Sequence, residues 1–268
     1  SRVHKSSAVP GRIHRTKQKR FNLIFGFTTA ALILLFIGLS IVLLNTILTP
    51  KSRWEHFAVS NQNSSSILLD DGSKVDVNRG SQFFYLSPFT NYERRVRLKG
   101  EAFFDVKKSQ EAPFYIEAGQ FRIRVVGTAF NVRNTGNSFE VNVVKGSVIV
   151  QNMSRENDIT LVHGGESVRF DTNVNRLVWQ PEQDSNCHAW RTRHIVFRNN
   201  TLDNVVQTLE SVYGIQVDVT NELALKNLAL TATFNHDDLP NVIRVIEVTL
   251  DVEFQFVDIN RYLLKSSH

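Results

Sequence analysis

Thirty consecutive residues without a charge, numbers 21–50, constrain this chain more than any other feature. The run reads FNLIFGFTTAALILLFIGLSIVLLNTILTP and lies between Arg20 and Lys51. About 20 apolar residues in a helix suffice to span the hydrocarbon core of a bilayer. Only a helix or a closed barrel satisfies its backbone hydrogen bonds in that environment. We therefore predict one transmembrane helix over residues 21–49.

A cleaved signal peptide is the main alternative for this run. The apolar part of a signal peptide has about 7–15 residues and ends at a small-residue cleavage site. The present run is roughly twice as long, and its end, residues 45–50, contains no Ala-x-Ala pattern. The sequence therefore favours an uncleaved anchor.

The distribution of charge indicates how such an anchor would be oriented. Residues 1–20 carry seven Lys or Arg and no acid, so the net charge of +5 leaves −2 for the other 248 residues. Because Lys and Arg accumulate on the cytoplasmic side of membrane helices, we expect the tail 1–20 in the cytoplasm and the bulk of the chain in the periplasm. The predicted location is the inner membrane. A nucleic-acid-binding module would carry its positive charge on its folded surface, so no nucleic-acid partner is expected.

Residues 50–179 are interpreted as an all-β module. Short β-branched and aromatic runs alternate there with turns rich in Gly, Asp and Asn, which is typical of closely spaced strands. Asp70-Asp71-Gly72-Ser73 predicts a hairpin between two strand patterns, and Lys145-Gly146 and His163-Gly164-Gly165 have the same form. Gly127 interrupts an alternating stretch and predicts a bulge or bend in a continuing strand pair. A sandwich, a roll and a solenoid-like stack all fit this pattern.

A polar segment, residues 180–192, is predicted as a solvated linker to a second module, residues 193–268. The second module contains an internal repeat with an offset of 37 residues, in which Phe197 matches Phe234. Each copy predicts a strand, a helix with one apolar face and another strand. Together the copies predict a small α/β module with one sheet and two helices on one face.

Capping residues mark the helix ends within the repeat. Thr201 and Asp238 precede the two helical patterns and suit N-caps, and Gly214 suits the C-cap of the first helix. The apolar residues of these patterns are expected to form the core of the module.

Few side chains of the sequence could carry chemistry. Glu101 and Asp105 share a face of a predicted strand and could pair as acid and base, although a polar strand face explains them as well. Cys187, His188 and His194 lack a fourth metal ligand at the usual spacing. We therefore predict no catalytic residue, no cofactor, no bound metal and no enzymatic activity.

Several words of the sequence occur in the order and spacing of a known family. They are Leu69-Asp70-Asp71-Gly72-Ser73-Lys74-Val75, Gly100-Glu101-Ala102-Phe103-Phe104-Asp105-Val106, Val126-Gly127-Thr128-Ala129-Phe130-Asn131-Val132, and Phe197 with Asn199, Leu202 and Tyr213. Over residues 21–265 the chain resembles the FecR family of transmembrane anti-sigma regulators, in its Bacteroidetes form. Its second module is similar to the signalling domain of TonB-dependent receptors.

This resemblance implies a protein that relays a signal. A TonB-dependent outer-membrane receptor binds a nutrient such as a siderophore or a glycan, and its signalling domain then contacts the FecR-like part in the periplasm. An extracytoplasmic-function (ECF) sigma factor responds in the cytoplasm. Members of the family usually carry a cytoplasmic anti-sigma domain, whereas a tail of 20 residues, seven of them basic and without a repeated apolar face, precedes the apolar run here. The resemblance therefore implies a sigma-factor partner without assigning the contact to residues of this chain.

Two other functions also fit the residues: a membrane-anchored scaffold without sigma-factor control, and a β-fold periplasmic enzyme acting on glycans. For contact with the receptor we predict strand addition at a sheet edge of the second module. The candidate residues are Ile195 and Phe197 on its first strand, and Ile215, Val217 and Val219 on the strand after its first helix.

Overall fold

The fold is taken from a computed structural model of the chain, which describes residues 15–48, 52–58, 64–136, 138–220 and 227–267. Residues 1–14, most of the tail predicted to be cytoplasmic, lie outside the described residues. The chain divides after Lys51 into two units, which we treat separately.

The first unit contains one helix, α1 (Arg15–Leu48), which includes most of the uncharged run. Its large apolar side chains from Leu32 to Leu44 keep between 48% and 71% of their surface accessible. Measured over the described residues, no helix reaches the length and apolarity of a membrane span. The helical state of the run is confirmed, and its role as a membrane span stays a prediction.

Thirteen strands build the first module of the second unit, counted over its described residues. Their bounds are β1 (Arg53–Ala58), β2 (Ser65–Leu68), β3 (Lys74–Val77), β4 (Gln82–Ser87), β5 (Arg94–Asp105), β6 (Phe114–Ala118), β7 (Phe121–Val125), β8 (Ala129–Asn134), β9 (Phe139–Lys145), β10 (Ser147–Asn152), β11 (Ile159–His163), β12 (Ser167–Asp171) and β13 (Arg176–Gln180). Sheet 1 has the order β11-β10-β7-β6-β5-β4-β1, and sheet 2 has the order β2-β3-β5-β8-β9-β12-β13. Neighbouring strands run antiparallel except β5 and β6.

The long strand β5 belongs to both sheets. Residues 94–99 pair with β4 and β6 in sheet 1, and residues 100–105 pair with β3 and β8 in sheet 2. The change of sheet falls at Gly100, which has a φ of 105° and where a Cβ atom would collide with the side chain of Ser81. Glycine adopts such a φ without steric cost. The bend places Glu101, the next residue, on sheet 2.

The two sheets pack face to face around one apolar core. Phe104 lies at its centre, with ring centroids 6.1 Å from Phe83 and 6.3 Å from Phe114 of sheet 1, and 5.3 Å from Phe130 of sheet 2. All four rings are completely buried, and burying such a side chain contributes roughly 1.5–3 kcal/mol. Of the three architectures that the sequence allows, the module is the sandwich.

One of the three predicted hairpins is a hairpin: β2 and β3 pair across the turn of Asp70–Ser73. Lys145-Gly146 instead carries the chain from β9 in sheet 2 to β10 in sheet 1, and His163-Gly164-Gly165 carries it back from β11 to β12. Gly127 likewise separates β7 of sheet 1 from β8 of sheet 2. These predictions are wrong because turn residues specify a change of direction and not which strand is paired next.

The second module consists of α2 (Ala189–Thr192), β14 (His194–Thr201), α3 (Leu202–Tyr213), β15 (Gln216–Val219), β16 (Ala229–Asn235), α4 (Leu239–Leu250), β17 (Val252–Asp258) and β18 (Arg261–Ser266). The strand–helix–strand order occurs twice, as predicted. Thr201 and Asp238 cap α3 and α4 at their first turns, and Gly214 ends α3 with a φ of 69°.

The predicted single sheet is in fact two. The first strands of both copies pair as β14-β16, and the second strands lie on either side of β18 in the order β15-β18-β17. Only the first strands thus pair with their equivalents, because β18, which has no counterpart in the repeat, lies between β15 and β17. Both helices and both sheets share one apolar core.

Candidate functional site

The outer face of sheet 2 is polar and nevertheless buried. Side chains alternate along a strand between the two faces of a sheet, so those next to core residues such as Val75 and Phe130 point outward. The outward polar residues are each less than 7% exposed, namely Asp76, Asn78, Glu101, Asn131 and Asn142. Residues 184–193 and α3 cover them. We call this face with its cover the module junction.

Glu101 is the centre of the junction. Its carboxylate accepts hydrogen bonds from Asn78 Nδ2 and Asn131 Nδ2, both at 2.9 Å, and from Arg133 Nε at 3.3 Å. Ser211 Oγ, on α3 of the second module, donates a fourth bond at 3.4 Å. A buried carboxylate is stable only when charged and polar partners replace its lost water. Glu101, on β5, therefore links β8 and the residue after β3 to a helix of the other module.

A second link joins Arg79 to the end of α3. The Nη2 atom of Arg79 donates to the carbonyl oxygen of Val212 at 2.6 Å. A Cβ atom at the adjacent Gly214 would collide with the Arg79 guanidinium. Burial lowers the pKa of Arg79, with nearby Arg193 acting in the same direction. The glycine that ends the helix thus also makes room for a side chain of the first module.

Residues 184–193, which we call the connecting segment, are packed into the junction. Asn186, Cys187 and Trp190 are between 2% and 6% exposed. The indole Nε1 of Trp190 donates to Asn131 Oδ1 at 3.3 Å, and Arg191 pairs with the buried Asp76 at 3.2 Å. The prediction of a solvated linker is wrong for this segment, because its polar residues find partners in both modules.

Charges at the junction compensate one another. Burial by itself would lower the pKa of Arg133, but the carboxylates of Glu101 and Glu140 outweigh it and raise that pKa. Burial also raises the pKa of the Glu140 carboxyl, against the attraction of Arg133, and raises the pKa of the Cys187 thiol far above its ordinary value. This shift favours the neutral form of the Cys187 thiol, which is 2% exposed.

A cavity of about 660 Å³ opens beside Glu101, between the two modules. The residues that line it are polar or glycine and include Arg79, Lys99, Glu101, Arg133 and Gln207. Asp105, which the sequence paired with Glu101 as a possible acid and base, is exposed and does not line the cavity. Glu101 already accepts four hydrogen bonds, and Glu210, the other carboxylate of the lining, accepts from the N–H of Val217.

The potential metal ligands do not converge. Cys187 Sγ lies 3.1 Å from His188 Nδ1, whereas the His194 ring contacts Asn235 Oδ1 at 2.5 Å. Within the described parts of the chain, no group of three or more His, Cys, Asp or Glu side chains could hold a metal ion.

The five candidate contact residues belong to the core of the second module. Ile195, Phe197, Ile215 and Val217 are at most 8% exposed, and Val219 is half-buried against the same core. Their side chains are therefore not available to a partner, and strand addition would have to use backbone groups alone.

The outer edge of β14 is covered by side chains. Asn186 binds Val196 like a neighbouring peptide group, since its Nδ2 donates to the Val196 carbonyl at 2.9 Å and its Oδ1 accepts from the Val196 N–H at 2.8 Å. The N–H groups of His194 and Arg198 donate to Thr192 Oγ1 and Asn200 Oδ1. Satisfied edges of this kind resist pairing with other strands.

Two glutamates protect the edges of β15 and β17 in the same way. Glu210 Oε1 accepts from the N–H of Val217 at 2.9 Å, and Glu247 Oε1 accepts from the N–H of Phe254 at 2.8 Å. The sequence reasoning missed both glutamates, although they match at the offset of 37 residues that defines the repeat. Comparing the charged residues of the two repeat copies, in addition to the apolar ones, would have identified Glu210 and Glu247.

Comparison with family models gives two matches in this unit. A model described as FecR protein matches residues 56–149, and one described as FecR, C-terminal, matches residues 194–264. Together they cover more than half of the chain, the first in the sandwich and the second in the repeat. A comparison with curated proteins gave no match.

Two crystal structures of a candidate anti-sigma factor from Parabacteroides distasonis ATCC 8503, at 2.50 and 1.65 Å resolution, have a similar fold. Both superpose with a TM-score of 0.67 at 21% sequence identity. The alignments cover 80% and 79% of this chain and 99% of the other chain.

Proposed function

The chain belongs to the FecR family, and from this premise we propose that it is a membrane-anchored anti-sigma regulator. In this proposal it relays the ligand state of a TonB-dependent outer-membrane receptor to an ECF sigma factor. The relay works through protein–protein contacts, without a chemical step. The match of FecR models to both modules is the observation that carries the proposal.

The module junction supports a relay mechanically. A partner bound to the second module would act on α3, and α3 contacts the sandwich through Ser211 and the Val212 carbonyl. In the proposed relay, a displacement of α3 breaks these two contacts. A change at the second module would therefore reach Glu101 and the strands around it.

The proposed anchor is α1, with the basic tail in the cytoplasm and residues 52–268 in the periplasm. The seven basic residues before the run support this orientation. The exposed apolar side chains of Leu32–Leu44 support an environment other than water. Reporter fusions test the orientation: alkaline phosphatase fused after His268 should be active and a fluorescent protein there should not, and the reverse result would contradict the anchor model.

Gene deletion tests the regulatory role. Transcripts of the source bacterium are compared between wild type and a strain that lacks this gene, with and without the nutrients of its TonB-dependent receptors. We expect the promoters of one ECF sigma factor to respond in the wild type and to lose that response in the deletion strain. A nutrient response that is unchanged at every ECF-dependent promoter would favour the scaffold function instead.

A further inference from the structure

One end of β17 differs from the outer edges of β14 and β15. β17 pairs antiparallel with β18, and in such a pair the backbone N–H and C=O groups of alternate residues point toward the partner strand and away from it. The N–H of Phe254 points away from β18, since it donates to Glu247 Oε1. Phe256 lies two residues further along the strand, so its N–H also points away from β18. Within the described residues the N–H of Phe256 has no hydrogen-bond partner. Glu247 thus protects Phe254 and not Phe256, which is the last residue of β17 before its register with β18 shifts between Phe256 and Asp258.

The same end of β17 is apolar on both faces. Phe256 is 62% exposed and Val257 is 50% exposed, and Ile259 in the following turn is 87% exposed. Successive side chains of a strand point to opposite faces. A helix laid on this region would cover one face only, whereas an added strand pairs with the backbone and contacts apolar side chains on both.

The charges near this end are acidic. Arg261 is already paired with Asp218 at 2.7 Å, and Lys265 with Glu253 at 3.2 Å. Asp258 and Glu247 have no ion-pair partner among the described residues. A strand that docks here is therefore favoured if it carries Lys or Arg close to them.

We propose that the Phe256–Ile259 end of β17 receives an extended, apolar strand with a Lys or Arg residue from another protein. This inference rests on the proposed function, for which it identifies the partner-binding edge. The proposed binding edge is β17 in place of β14 and β15, the strands predicted from the sequence, because the edges of those strands are covered by Asn186 and Glu210. A second copy of this chain fits less well, because two-fold pairing at Phe256 would bring Asp258 of one copy close to Glu247 of the other.

The test attaches a probe strand next to this edge in the full chain. An Ile259→Cys variant is joined by a disulfide to the peptide Cys-Gly-Gly-Lys-Val-Thr-Val-Thr, which can then lie antiparallel to β17. The native Cys187 is 2% exposed and does not compete for the label. Tethering raises the local concentration of the peptide into the millimolar range. Hydrogen exchange of the Phe256 amide is the measurement.

We expect this peptide to slow exchange at Phe256 by about tenfold, the effect of about 1.4 kcal/mol. Two controls are matched to it: the same peptide with Glu in place of Lys, and the Lys peptide on a Tyr92→Cys variant, where Tyr92 is 83% exposed in the other module. Both should leave exchange at Phe256 unchanged. Because the peptide replaces any natural partner, failure of the proposed relay would not alter this outcome.

Three results would overturn the proposal. Exchange at Phe256 that does not respond to the Lys peptide rules out strand addition at this edge. Equal slowing by the Glu peptide contradicts the required basic residue. Protection of Phe256 in the unmodified chain that increases with protein concentration identifies a second copy as the occupant.

Discussion

Replacing Glu101 by Gln should destabilise the second unit strongly, although the two side chains have nearly the same shape. The substitution removes the negative charge opposite Arg133 and presents an NH₂ group to the donors Asn78 Nδ2 or Asn131 Nδ2. Breaking a buried ion pair costs roughly 3–5 kcal/mol. Because the Arg133 side chain keeps 26% of its surface exposed, we expect the lower end, about 3 kcal/mol.

Thermal unfolding of the full chain in detergent measures this effect, with tryptophan fluorescence as the probe because Trp190 is buried in the junction. For a unit of this size, 1 kcal/mol shifts Tm by about 2–4 °C, so Glu101→Gln should lower Tm by roughly 6–12 °C. Glu117→Gln is the matched control, since Glu117 pairs with the exposed Arg97 at 2.9 Å. Exposed pairs contribute less than about 1 kcal/mol.

Equal Tm values for Glu101→Gln and Glu117→Gln would refute the reasoning. They would mean that water replaces the lost contacts of Glu101 and that the junction is not closed in solution.

Three further predictions follow from the same structure. Gly214→Ala should destabilise the unit by about 1 kcal/mol more than Gly165→Ala in guanidinium unfolding. Both positions have φ > 0, but only at Gly214 would the added Cβ atom collide with another side chain. Equal losses of unfolding free energy would contradict this contact. Glu247→Gln should weaken the charge-assisted bond to the Phe254 N–H and speed hydrogen exchange there severalfold, and unchanged exchange would argue against the edge protection. Burial lowers the pKa of His188 below its usual value, with Arg191 acting in the same direction, so the unfolded chain binds the proton first and stability should fall as pH drops below about 6.5. A His188→Gln variant should lose part of that pH dependence in unfolding titrations, and an identical slope would contradict the assignment.

Much of the second module could be predicted because its information is local. The 37-residue repeat, the helix faces and the caps at Thr201, Asp238 and Gly214 depend on neighbours within a few residues, and such signals are present in the chain itself. The pairing of strands was harder to predict. Lys145-Gly146 has the composition of a hairpin turn, yet it joins strands of different sheets.

The candidate site could be predicted only in part. Glu101 stood out as a carboxylate on a strand, but its role depends on Asn131, Arg133 and Ser211, which lie 30 to 110 residues away. Nothing in the segment 180–192 distinguishes a solvated linker from one packed between two modules. The edge residues Ile195 and Val217 were chosen for their strand pattern, and the same pattern is produced by burial in a core.

By itself, the sequence determined the elements with short-range causes: an uncharged helical run after a basic tail, a β-rich module with FecR motifs, and a repeated strand–helix–strand module. Tertiary structure alone decided which strands pair, that the two modules close over a buried carboxylate, and which strand edges are covered by side chains. The physical reason is that hydrogen-bond partners and burial are properties of groups brought together from distant parts of the chain, whereas helix faces and caps are set by residues three or four positions apart.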